Sequence, residues 1–564
     1  MACTLHRPHN RGVSQAITRF KRFANLYKDS VALMQLSAAL RERAGIAQAS
    51  CLMATPANLA QLTHADLEID AAVSPSDLLV VVRGEDAACA DALVAAESIL
   101  LAAPGNDSSD RSTFKLPLTS IALGVAQGAA LGIGTDLALI SVPGDYAAAE
   151  ALKALALGLH VMLFSDNVSV ADERTIKTFA RSKDLLVMGP DCGTAIVNGV
   201  PLGFANVVRR GNIGLVAASG TGLQEVTCRI HNLGGGVSQA LGTGGRDLKE
   251  EIGGISMLQG LAALALDPAT RIIVLISKPP SPAIALDIER AASAASAAGK
   301  PVVVHFLGAK PGALAAGLFA ATSLHHAADL AVALARGESA PSPAMDPGVR
   351  RDDGGETVIP AHAGIHPAPP TQVESIQQLT AAMAPSQYAV RALFTGGTFC
   401  YEAQLVLLAQ GLACSSNAPA HGAATFDPGG GFEGHVLLDL GDDDYTRGRP
   451  HPMIDPTLRD SLVREAGADP AVAAILFDVV LGYGSHPNPA SGLAHALAGA
   501  QQAARAQGRT LALIGHVCGT DGDPQGRAAQ VKQLQDVGAT IADSNVEASL
   551  LATQLALQLA ARRT

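Results

Sequence analysis

Short apolar runs recur along the chain, and most end in a small-residue or polar loop that opens an Ala-rich segment with helical spacing. From Leu116 onward this order repeats. Leu137–Val142 leads through Pro143–Tyr146 into Ala147–Leu157, and His160–Ser165 leads through Asp166–Asn167 into Asp172–Ser182. Leu185–Met188 then runs into Gly189–Thr194. Strands alternating with helices predict parallel sheets, whose ligand loops lie at the carboxyl ends of strands. Before Leu116 the pattern is shorter: strand-like residues 27–34, a helix over Gln35–Ala47, an apolar run at Ala49–Thr55, a strand at Leu78–Val82 and a helix over Ala87–Leu101. That predicts a small α+β domain. The apolar, Ala/Gly-rich Ile121–Val142 contains Asp136 and reads as a strand–turn–strand passage rather than a membrane span.

One stretch organises the rest. Asn212–Ala218 is a buried strand, Ser219 a helix N-cap, and Gly220–Thr221–Gly222 the start of a helix that reaches Glu225. Free N–H groups and the helix dipole at such an end suit an anion. A tight turn with no ligand is the plainer reading. A second copy strengthens the first: Leu393–Thr395, then Gly396–Gly397–Thr398, then a helix with Glu402. Two such ends can face one phosphate from both sides. Lys278 follows the strand Ile272–Ile276 and lies within reach of an anion near Ser219; a solvated loop lysine is the alternative.

The domains expected are 1–115 (tail and small α+β domain), 116–206 (Rossmann-like), 207–336 (flavodoxin-like), 337–384 (Pro/Gly-rich linker) and 385–564 (a second flavodoxin-like domain). The last carries the densest polar chemistry. Asp442, Asp443 and Asp444 invite a metal, but neighbouring acids cannot all point at one ion without a tightly wound loop, and no metal is assigned. Arg447, Arg449 and His451 suit a carboxylate or phosphate, with an internally salt-bridged loop as the alternative.

Composition narrows the class. The chain has 564 residues, 57 Gly, no Trp and a net charge of −11, which argues against nucleic acid and an anionic membrane surface. Its eight cysteines show no CxxC pair and read as reduced thiols. Met1–Asn10 carries no apolar run, so no secretory signal is expected and the protein is expected in the cytoplasm.

Several strings together resemble the FdrA family: Ala138–Gly144, Val161–Asn167, Val187–Thr194, Ala218–Gly222, Gly244–Leu248, Ser277–Pro280 and Gly448–Pro456. FdrA proteins are similar in turn to succinyl-CoA synthetase. The resemblance implies that the middle two domains are like its α subunit and the last like the CoA-ligase domain of its β subunit. In that enzyme two helix N-termini cradle a phosphohistidine, and the loops at Ser219 and Gly396 match those positions. Three departures stand out. Gly308–Leu314, where the catalytic histidine would lie, has none, while His325 and His326 sit at the start of a helix. The acid that orients the phosphohistidine is replaced at Lys278. Neither a Gly-rich CoA loop nor an ATP-grasp domain is evident.

Some FdrA-type proteins are implicated as one subunit of oxamate carbamoyltransferase in allantoin breakdown. The resemblance therefore implies a carbamoyltransferase subunit with two partner subunits and no cofactor. Phosphate or carbamoyl phosphate would lie against Ser219, Gly220, Thr221, Gly222, Gly396, Gly397 and Thr398. Lys278, Arg447, Arg449 and His451 would be catalytic. Asp191, Cys192, Arg246 and Asp455, in the matched loops, are substrate-binding candidates. The alternatives are an acyl-CoA synthetase, which would bind CoA, and a non-catalytic scaffold subunit.

Overall fold

The computed structural model describes residues 16–101, 120–309, 315–338, 374–446 and 450–563, apart from short stretches between 25 and 76 and at 375–377. Most of the expected 337–384 linker lies outside the described residues. The chain divides into two compact units, Met1–Lys115 and Leu116–Thr446 with His451–Thr564.

In the first unit β1 (Ile17–Phe23), β2 (Ile46–Met53) and β3 (Leu78–Gly84) form an antiparallel sheet in the order β1-β3-β2. Helices Ser30–Arg41 and Asp86–Leu101 cover it. Residues 27–34, expected as a strand, instead enter the first of these helices at Ser30. Leu33, Leu36 and Leu40 share a helical face and are buried on the sheet, and this 3.6-residue period decides for a helix.

The second unit opens with helix Ile121–Ala130 and a parallel sheet of β4 (Leu137–Ile140), β5 (His160–Leu163) and β6 (Val187–Met188). The strand–turn–strand expected over Ile121–Val142 is thus half right. Ser120 caps the first half as a helix, its side chain accepting from the Leu123 N–H at 3.1 Å.

Two seven-stranded sheets follow. The first, β13-β12-β11-β9-β10-β7-β8, is built from β7 (Thr194–Val197), β8 (Val200–Gly203), β9 (Arg210–Ala217), β10 (Val237–Gly242), β11 (Ile272–Ser277), β12 (Val302–Phe306) and β13 (Leu318–Ala320). The second, β16-β15-β17-β14-β18-β19-β20, is built from β14 (Ala389–Phe394), β15 (Cys414–Ser416), β16 (Ala424–Thr425), β17 (His435–Asp439), β18 (Val472–Val480), β19 (Ala512–Cys518) and β20 (Thr540–Ala542). Strands β7 and β8 precede the boundary expected at residue 206, yet they pair in this first large sheet.

The two sheets share a parallel five-strand block, β10-β9-β11-β12-β13 in one and β17-β14-β18-β19-β20 in the other. Its central strands are buried along their whole length, as strands covered by helices on both faces must be. Burying each large apolar side chain contributes roughly 1.5–3 kcal/mol. Among the described residues no helix is long and apolar enough to cross a membrane.

Candidate functional site

Strand β9 ends at Ala217, and the chain turns through Ser219 into helix Gly220–Asn232. Ser219 caps that helix, its Oγ accepting from the Gly222 N–H at 3.0 Å. In the second block β14 ends at Phe394 and turns through Thr395 and Gly396 into helix Gly397–Ala409. These two helix starts meet. Ser219 Oγ and Thr398 Oγ1 share a hydrogen bond of 2.6 Å. A Cβ on Gly396 would lie 2.8 Å from Thr221 Cγ2, so the residue has to be glycine for the helices to approach this closely. The structure therefore brings Ser219, Gly220, Thr221, Gly222, Gly396, Gly397 and Thr398 to one place. The N–H groups of each first turn have no intrahelical partner, and no side chain caps the Gly397 helix.

A buried acid holds the second turn. Asp478, at the end of β18, accepts from the Thr395 N–H (2.7 Å), the Thr395 hydroxyl (3.0 Å) and the Gly396 N–H (2.9 Å). Buried Arg459 backs it, with Nη1 3.7 Å from the carboxylate and donating to the Asp478 carbonyl at 2.7 Å.

Three further groups surround the helix starts. Asp439, the last residue of β17, is 7% exposed. Its Oδ1 accepts from the Gly441 N–H at 3.0 Å, and its Oδ2 occupies the space a Cβ on Gly397 would need. Burial raises its carboxyl to about 7, against the opposing pull of Lys278. Lys278 itself is exposed and places Nζ 5.1 Å from the centre of the Tyr401 ring, on the Gly397 helix. A Cβ on Gly441 would lie 2.8 Å from His451 Nε2. His451 Nδ1 accepts from the Met453 N–H at 3.2 Å, which assigns the proton to Nε2. Burial lowers His451 to about 4. At neutral pH it is therefore an uncharged donor suited to a carbonyl oxygen rather than a cation for a carboxylate.

The other sequence candidates have partners of their own. Arg246 donates to the Val168 carbonyl (2.7 Å) and pairs with Glu173 (3.0 Å), in a buried network with Lys177 and Asp247. Asp191 follows Pro190 at φ 54°. The Cys192 thiol faces the carbonyls of Thr194 and Gly242 at 3.5 and 3.4 Å. Asp455 accepts from the N–H and hydroxyl of Thr457, at the start of helix Thr457–Ala468. Arg447 and Arg449 lie outside the described residues. Asp442 accepts from the Asp444 N–H at 3.1 Å.

Each of the two helices also sends a glutamate to the interface between the blocks. Glu225 Oε2 meets His516 Nε2 at 2.8 Å. Glu402 accepts from Asn545 (2.8 Å) and, across the interface, from the Leu324 N–H (3.4 Å). Burial raises Glu402 to about 7. Asp439 is the site residue that the sequence candidates omit. Its signal was present, as a single acid closing an otherwise apolar strand.

Residues 393–555 match the CoA-ligase family, and residues 17–115 match the AllF, heavy metal-associated domain. Among the described residues no three His, Cys, Asp or Glu side chains converge to hold a metal. The thiols of the small domain, Cys51 and Cys89, are buried, and burial raises both, Cys51 to about 12. The malate–CoA ligase α subunit of Methylorubrum extorquens is 28% identical over 26% of this chain and 51% of its own length. The solved dinucleotide-forming acetyl-coenzyme A synthetase 1 of Ca. Korarchaeum cryptofilum, in complex with phosphate and ADP, covers 76% of this chain and 84% of its own at 16% identity and a TM-score of 0.27. The uncharacterized protein YahF of Escherichia coli is 40% identical over 94% of this chain and 97% of its own length. With that relative, an AllF-type domain at one end and a CoA-ligase domain at the other, the chain belongs to the FdrA family of acyl-CoA synthetase-like proteins.

Proposed function

We propose that this chain is the phosphate-handling subunit of a carbamoyltransferase complex, with phosphate or carbamoyl phosphate held between the Gly220 and Gly397 helix starts. The observation that carries the reading is the meeting of those two starts at the Ser219–Thr398 hydrogen bond, beside Lys278 and Asp439. The first-turn N–H groups that Ser219 and Asp478 do not engage offer donors to phosphate oxygens from both helices, and Lys278 adds positive charge. In phosphorolysis a phosphate oxygen attacks the carbamoyl carbon, and an oxyanion develops on its carbonyl. The neutral Nε2–H of His451 is a suitable donor to that oxygen. The histidines nearest the expected phosphohistidine position are buried: His305 turns Nδ1 to the Ala321 carbonyl, His325 pairs with Asp329 and His326 bonds to Thr322. This favours transfer without a covalent phosphohistidine. Two partner subunits and action on oxamate follow from the family resemblance, and the chain itself needs no cofactor in this reading.

A second reading, an acyl-CoA synthetase, draws support from the CoA-ligase match over residues 393–555. Ligand-induced thermal stabilisation separates the two. The carbamoyltransferase reading expects the melting temperature of the purified chain to rise with phosphate or carbamoyl phosphate, and the rise to shrink in Lys278→Ala and vanish in Gly222→Glu. A rise with CoA and none with either phosphate compound would sink it in favour of the ligase.

A further inference from the structure

We propose that Asp439 is the general acid–base of this site, a carboxyl group that exchanges a proton directly with the bound phosphate. The proposal rests on the phosphate reading above and deepens it.

Geometry places the group. Asp439 closes β17 with its side chain against Gly397, where the uncapped helix presents its first N–H groups. Its main chain is fixed on both sides by Asn417, which accepts from the Asp439 N–H and donates to the Asp439 carbonyl, each at 2.9 Å. Oδ1 is held by the Gly441 N–H, so Oδ2 is the oxygen turned to the helix start. The counterpart in the other block is Gly242: Gly242 pairs with Ala217 as Asp439 pairs with Phe394. The fold therefore does not require an acid here. The charged and titratable groups that act on Asp439 are Lys278, which favours the ionised form, and Asp442 and Asp478, which oppose it; His451 lies across Gly441. The result is a carboxyl that is protonated in a large fraction of molecules near neutral pH.

The protonated form donates a hydrogen bond to a phosphate oxygen, whereas the ionised form repels the dianion. In phosphorolysis the phosphate oxygen forms the new O–C bond and the C–N bond to the departing amide breaks, its electron pair going to nitrogen. The carboxyl gives its proton to that nitrogen. Its carboxylate then takes the remaining P–OH proton, which restores the acid. No oxidant or further reactant is required.

Calorimetric titration of the full chain with inorganic phosphate at pH 6 and pH 8.5 tests the contact. Wild type should lose about 10-fold or more in affinity over this range relative to Asp439→Asn, because only the protonated fraction binds well. Phosphate's own ionisation is common to both proteins and cancels. Equal losses overturn the proposal and leave the phosphate site standing. No phosphate binding by wild type at either pH overturns the phosphate reading and the proposal with it. If Asp439→Asn does not fold, Lys278→Met replaces it. Removing the cation raises the Asp439 carboxyl, so the weakening sets in at higher pH, and an unchanged profile overturns the proposal. In the complex purified with its partner subunits, Asp439→Asn should lower the carbamoyl-transfer rate about 100-fold with KM unchanged. An undiminished rate overturns the acid–base role.

Discussion

The two five-strand blocks are built alike, and their differences separate what the fold needs from what the site needs. Registers align them residue by residue. Ile276 lies beside Ala217 and opposite His305; Asp478 occupies the same place in the second block, opposite His516. Both histidines turn Nδ1 to an alanine carbonyl, Ala321 or Ala542, two residues before a serine that caps the last helix of the block. Beyond that the blocks diverge. His516 Nε2 has Glu225 as its partner, while His305 Nε2 has no hydrogen-bond partner among the described residues. Burial lowers His305 to about 4. Burial also works against His516, but Glu225 and the Ala542 carbonyl outweigh it and raise His516 overall. One architecture thus holds a neutral histidine in one block and favours a charged one in the other. The first block carries Ile276 and Gly242 where the second carries Asp478 and Asp439. At these two register positions the acids stand in one block only, and the other contributes a helix start and Lys278.

The sharpest test of this contrast is Asp478→Ala. It strips the Thr395–Gly396 turn of its acceptor and leaves buried Arg459 without its carboxylate, at an expected cost of about 3–5 kcal/mol in urea unfolding. A loss below about 1 kcal/mol would show that the turn holds itself. Next comes His305. Its folded pKa is depressed, so the unfolded chain binds the extra proton, and stability falls as pH drops from 6.5 towards 4, by about 3 kcal/mol at most. His305→Gln should remove that acid slope, and a slope unchanged from wild type refutes the assignment. The Glu225–His516 pair has the opposite signature. Burial pushes the Glu225 carboxyl up, but His516 brings it below its usual value overall. The pair's stabilisation is complete between Glu225's usual 4.5 and His516's usual 6.5. It is lost as pH falls through the lowered glutamate value or rises through the raised histidine value. Glu225→Gln should cost about 1–3 kcal/mol at pH 5.5 and less once pH has risen through the raised histidine value, and a uniform cost would deny the ion pair. Smallest is Ser219→Ala, which removes one helix cap and one interblock hydrogen bond for about 1 kcal/mol by thermal unfolding. No change at all would mean that solvent replaces both.

Much of this was legible in the sequence, and the reasons are local. Apolar runs such as Ile272–Ile276, and Ile475–Val480 with only Asp478 interrupting it, read as central parallel strands. The paired small-residue turns after β9 and β14 announced two matching helix starts, because Ser219 caps its own helix and Gly396 leaves room for the close approach. The failures were also physical. Residues 27–34 and 121–130 carry mixed apolar signals that become helical once Leu33, Leu36 and Leu40 find a sheet, or Ser120 a free N–H. Arg246 stood in a Gly-rich loop that looked open to a ligand, yet its guanidinium is engaged by Val168 and Glu173, residues distant in sequence. Asp439 closes an apolar strand, a common place for an acid, and nothing further in the sequence singles it out. Only its contact with Gly397 distinguishes it, and that contact spans 42 residues of chain.

The segment Phe204–Val207 carries a last consequence. Asn206 donates to the Leu481 carbonyl (2.9 Å) and to Asp523 (2.8 Å), the Val207 N–H donates to Asp523 (2.7 Å), and Gln224 reaches the Leu481 carbonyl at 3.3 Å. These bonds, like Ser219–Thr398, join parts of a single polypeptide. In an enzyme that divides the same surfaces between two subunits, their union obeys mass action and weakens on dilution. Here tethering sets a fixed local concentration of one surface for the other. The joint between the blocks should therefore be as complete in a scarce protein as in an abundant one.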